Sequence, residues 1–70
     1  MKKVEIYTEY IKLDAFLKLS GEATSGGHAK ELILAGEVMV NGERCYMRGK
    51  KLRVGDVVAL QNETIEVVGI

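Results

Sequence analysis

The spacing of apolar positions changes along the 70-residue chain, and each change marks an element. Near the start, "KVEIYTEYI" alternates loosely and is rich in β-branched and aromatic residues, which predicts a short strand over Val4 to Thr8. From Lys12 the spacing becomes helical. Leu13, Phe16, Leu17 and Ser20 fall at i, i+3, i+4 and i+7, one stripe of a helix ending near Gly21. Asp14 sits in its first turn, where a carboxylate favours the positive end of the helix dipole. After the short link "EATS" the same stripe returns at Ala29, Leu32, Ile33 and Gly36. Ser25 is a good N-cap, and Gly36 can take the left-handed conformation that ends helices, so a second helix is predicted over about Gly26 to Ala35.

Alternation then takes over. "EVMVNGERCYMR" reads as two short strands around Asn41-Gly42, a dipeptide suited to a type I′ hairpin because both positions tolerate positive φ. In "ERCYMR", period 2 sends Arg44, Tyr46 and Arg48 to one face and Cys45 and Met47 to the other, which looks like core. Gly55-Asp56 is a turn signal, and "VVALQNETIEVV" is a second hairpin folded about Gln61 to Glu63. The predicted fold class is α+β: two packed helices on a small, mostly antiparallel sheet of four to five short strands. A chain this short supports one core, so residues 1–70 are read as a single domain.

Composition narrows the function classes. Ten basic and ten acidic residues cancel, so net charge alone gives no reason to expect a polyanion partner. No apolar run approaches the roughly 20 residues of a membrane span, and "MKKVEIYTEY" lacks the apolar centre of a signal peptide. Together with a single cysteine, these features lead to the expectation of a cytoplasmic protein. His28 and Cys45 do not supply the converging ligands a metal needs, so no metal or cofactor is expected. Cys45 shares its face with Met47 and reads as a small buried hydrophobe, although sequence alone leaves a Cys-His pair open. No carboxylate stands in an apolar setting suited to acid/base work, and catalysis is not expected.

The distribution of charge says more than its sum. Arg44, Arg48, Lys50, Lys51 and Arg53 lie in a segment without a single acid. With Tyr46 among them, they form a surface that can hold phosphates by charge and stack a base or ribose, as single-stranded and loop RNA allow. The plainer alternative is a solvated loop with a half-covered tyrosine. Gly26 and Gly27 pose a similar choice. Bare amides at a helix start attract anions, yet glycines there could equally relieve crowding against the first helix. Lys18 lies four residues after Asp14 and is read as its surface partner. Lys12 and Lys30 have no acid four residues on, and Lys30 lies one turn from the Gly26 amides.

These residues resemble the RNA-binding domain named after small-subunit ribosomal protein four, the alpha-L motif. Lys12-Leu13-Asp14 matches its basic-Leu-Asp helix start; Ser25, Ala29, Lys30, Leu32 and Ile33 match Ser-Arg-x-x-Ala-basic-x-Leu-Ile. Gly36, Val38, Val40, Asn41 and Gly42 match Gly-x-Val-x-Val-Asn-Gly, and Gly55-Asp56 matches a closing Gly-Asp. The similarity covers about Ile11 to Leu60 and is to short stand-alone bacterial members. It implies binding of structured ribosomal or transfer RNA by Lys12, Lys30 and the basic loop, on the ribosome or its assembly particles, without catalysis. Gly26 stands where the family usually has arginine; backbone amides and Lys30 would take over that contact. A second reading, a protein-interaction module in a larger assembly, uses the same sheet edge and loop.

Overall fold

The computed structural model describes residues 1–69. In chain order the elements are β1 (Lys2–Ile6), β2 (Ile11–Lys12), α1 (Leu13–Leu19), α2 (Gly26–Leu34), β3 (Met39–Val40), β4 (Glu43–Arg44), β5 (Lys51–Leu52), β6 (Val57–Leu60) and β7 (Glu63–Gly69). The main sheet has five strands in the order β1-β7-β6-β3-β4, and β2 pairs with β5 in a separate small sheet. The pairings β7-β6, β6-β3, β3-β4 and β2-β5 are antiparallel, while β1 runs parallel to β7. The α+β class is as expected from the sequence.

One face of the sheet and one stripe of each helix make the core. Ile6, Val40, Val58, Ile65 and Val67 come from the sheet; Leu13, Phe16, Leu17, Ala29 and Ile33 come from the helices. The apolar stripes read from the sequence are therefore the packed faces. Gly36 is left-handed at φ 76, directly after the α2 C-cap Ala35, and the hairpin residues Asn41 and Gly42 have φ 52 and 85.

Ser25 caps α2: its hydroxyl accepts the His28 amide at 3.0 Å, and the His28 ring returns the favour by accepting the Thr24 amide on Nδ1 at 3.1 Å. The pair resembles a capping box with imidazole in place of a carboxylate. Ser25→Ala should cost about 1 kcal/mol, lowering the melting midpoint by roughly 4–8 °C in a domain of this size; calorimetry checks this.

The structure differs from the sequence reading in four places. The first strand is Lys2–Ile6 rather than Val4 to Thr8, because the parallel register with Ile65 to Gly69 ends at Ile6 and Tyr7 points to solvent. β4 stops at Arg44, so the alternation assumed for "ERCYMR" does not continue. Cys45 is only partly buried and Met47 is 66% exposed rather than in the core. β2 and β5 pair where the sequence predicts the start of a helix from Lys12 and a basic loop. Finally, Lys18 does not pair with Asp14: the Asp14 carboxylate accepts the Ala15 amide at 2.7 Å, and the one ion pair among the described residues is Lys2–Glu22 at 3.6 Å.

Candidate nucleic-acid interface

The small β2-β5 sheet organises the basic segment. Ile11 stands opposite Leu52 and Lys12 opposite Lys51. Leu52 is fully buried and Ile11 packs against the core, so alternation sends Lys12 and Lys51 to the outer face. Two carbonyls of the loop before β5 then accept the first amides of α1: Leu13 N–H donates to Lys50 O at 2.8 Å and Asp14 N–H to Arg48 O at 3.1 Å. These bonds satisfy donors that a helix start leaves orphaned. They also fix Arg48 and Lys50 beside Lys12. Lys12 is thereby joined, through one stretch of hydrogen-bonded backbone, to four cations that lie far from it in sequence: Arg48, Lys50, Lys51 and Arg53.

Arg53 is held from the other side by the Asn-Gly and Gly-Asp motif residues. Asp56 accepts the Arg53 amide at 2.8 Å and the Asn41 side-chain amide at 3.1 Å, while Asn41 accepts the Val57 amide at 2.9 Å. Gly55 makes the turn possible at φ 101. These motif residues are therefore scaffold for the loop. Asp56→Ala removes two acceptor contacts and should destabilise the fold by about 1–2 kcal/mol, measured by urea denaturation.

The remaining sequence-predicted residues lie on α2 or beside Gly36, just past its end. Arg44 Nη1 donates to Gly36 O at 2.8 Å, so this guanidinium is engaged at the end of α2. Tyr46 lies against the same glycine: a Cβ at Gly36 would meet its hydroxyl at 3.2 Å. More than half of Tyr46 is exposed nonetheless. Gly26, Gly27 and Lys30 belong to the first turns of α2, the helix that packs against α1.

Crowding does not account for the glycines. A Cβ at Gly26 would meet nothing within 4 Å, and one at Gly27 only the Ser25 hydroxyl at 3.9 Å. Among the described residues the Gly26 and Gly27 amides have no protein acceptor, since Ser25 takes only those of His28 and Ala29.

One contributor was missed in the sequence. Tyr10 carries Lys51 Nζ 4.8 Å and Arg53 Cζ 5.9 Å from its ring centroid. Its signal was present: an aromatic two residues before Lys12 shares that residue's face once the segment is recognised as a strand.

No group of three or more His, Cys, Asp or Glu among the described residues is placed to hold a metal ion. Among them, no helix is long and apolar enough to cross a membrane. His28 lies in the first turn of α2, whereas the Cys45 amide bonds Val38 beyond its other end.

Comparison with known proteins agrees with this architecture. A protein of Bacillus subtilis (strain 168) named "Probable ribosome maturation protein RlbA" is 48% identical over 58 residues, covering 83% of this chain and 82% of the relative. The S4 domain family, whose members typically bind RNA, matches residues 4–68. With nearly the whole chain inside that match, the protein belongs to the S4 domain family.

Proposed function

We propose that the protein is a non-catalytic RNA-binding module of the cytoplasm that docks on structured ribosomal RNA during ribosome maturation, using Lys12, Arg48, Lys50, Lys51 and Arg53 as its main phosphate contacts. One observation carries the reading: these cations are tied together by the β2-β5 pairing and the α1 start, and among the described residues none is in an ion pair. Lys30 and the open Gly26 and Gly27 amides extend the surface along α2, and Tyr46 offers an exposed ring beside Arg44. The Bacillus relative's name supports ribosomal RNA over transfer RNA as the target.

The test is salt dependence. Each phosphate contact contributes a slope of about 0.7–0.9 in log affinity against log salt, so four or five contacts give about 3 to 4. Anisotropy titrations against ribosomal RNA fragments at several salt concentrations should show that slope, with transfer RNA as comparator. A flat dependence would contradict electrostatic docking.

One observation favours a second reading. Tyr46 and Met47 are exposed and line a shallow groove with Arg44 and Lys50, as a protein-docking surface would. Material purified at low salt separates the two: excess absorbance at 260 nm, removed by high salt, belongs to the RNA-binding reading.

A further inference from the structure

The antiparallel register sets Lys12 opposite Lys51, and the ring of Tyr10, just before β2, lies against Lys51 and against Arg53, just after β5. Such an arrangement is unfavourable for an unliganded protein, because like charges directly across a ladder repel. The neighbouring carboxylates do not relieve it. Asp14 is occupied by the Ala15 amide, Asp56 by the Arg53 backbone amide and Asn41, and among the described residues no carboxylate oxygen lies within 4.0 Å of the Lys12 or Lys51 ammonium or the Arg53 guanidinium. What orders the cations instead is the Tyr10 ring, which attracts both Lys51 and Arg53 through its negative face and is itself 37% exposed.

From this geometry we infer that Lys12, Lys51 and Arg53 form a seat for one backbone phosphate of RNA and that Tyr10 is the residue that positions it. The inference rests on the RNA-binding reading and assigns a location and a role within it. A phosphate between Lys12 and Lys51 turns their repulsion into two attractions. The ring holds Lys51 and Arg53 in place beforehand, so less side-chain freedom is lost on binding.

The test compares wild type, Tyr10→Phe and Tyr10→Leu. In the free proteins, the Lys51 Hε protons should be shifted upfield by the ring current in wild type and Tyr10→Phe, and should return to their ordinary position in Tyr10→Leu. Against a short fluorescein-labelled RNA hairpin, Tyr10→Phe should bind as wild type and Tyr10→Leu roughly two- to fivefold more weakly, with its amide spectrum showing an intact fold. Equal binding by Tyr10→Leu and wild type, or unshifted Lys51 Hε protons in wild type, overturns the positioning role. Upfield-shifted Lys51 in a wild type that binds no RNA overturns the RNA reading itself, and the seat with it.

Discussion

Phe16→Ala is expected to remove a large part of the protein's stability. Phe16 is wholly buried at the centre of the stripe that α1 turns to the sheet, among Leu13, Leu17, Ile33 and Ile65 in the same core. Removing a buried phenylalanine ring costs about 3–5 kcal/mol, transfer and cavity terms together. A 70-residue domain has a stability on the order of 4–10 kcal/mol. The substitution therefore removes a large part of the total, and in a core this small no second cluster compensates. Circular dichroism should show a melting midpoint lowered by 12 °C or more, on the order of 4–8 °C per kcal/mol. Phe16→Leu keeps most of the volume and should lose about 1–1.5 kcal/mol. A melting curve for Phe16→Ala within a few degrees of wild type would mean that α1 is not anchored as described. Because the first amides of α1 hold the Arg48 to Lys50 loop, RNA affinity should fall together with helix content.

The second large effect is on binding alone. Substituting Lys50, Lys51 and Arg53 together by alanine should weaken RNA binding by about 100-fold at physiological salt. Non-specific binding through six to ten phosphate contacts has dissociation constants of roughly 10⁻⁴ to 10⁻⁶ M, which is about 1 kcal/mol per contact. Three contacts then amount to about 3 kcal/mol. The salt slope should fall by about 2 to 3 at the same time, since each lost contact leaves its counterions in place. All three side chains are exposed, so the fold should survive, and thermal stability should stay within about 1 kcal/mol of wild type. Loss of affinity with an unchanged slope would place the effect in folding rather than in phosphate contact.

The parts of the molecule that could be read from sequence are those in which a local rule decides the outcome. Both helices follow from apolar spacing, the α2 start from Ser25, and the hairpin at Asn41-Gly42 from residues that tolerate positive φ. The β2-β5 pair was not legible for a physical reason. Two-residue strands carry no measurable period, and their pairing joins segments about forty residues apart, whose register only the finished fold sets. The same gap misled the reading of "ERCYMR": alternation was extended past Arg44 because nothing in the sequence marks the point where the chain leaves the sheet to reach α1. The basic residues of the candidate site were visible as a cluster in sequence. The tying of Lys12 into that cluster and the engagement of Arg44 at Gly36 were not, because both depend on which carbonyls the side chains and helix amides find.

The parallel pairing of β1 with β7 has a consequence for how the chain reaches its native state. Lys2 aligns with Ile65 and Ile6 with Gly69, so the first strand waits for residues near the opposite end before it has any neighbour at all. The helices and the Asn41 hairpin can form from local contacts, whereas the sheet edge at β1 needs the longest-range strand closure in the molecule. This one long closure should therefore set the pace of folding. Until that closure, the flank of β7 is an unprotected template on which a second unfinished chain could pair.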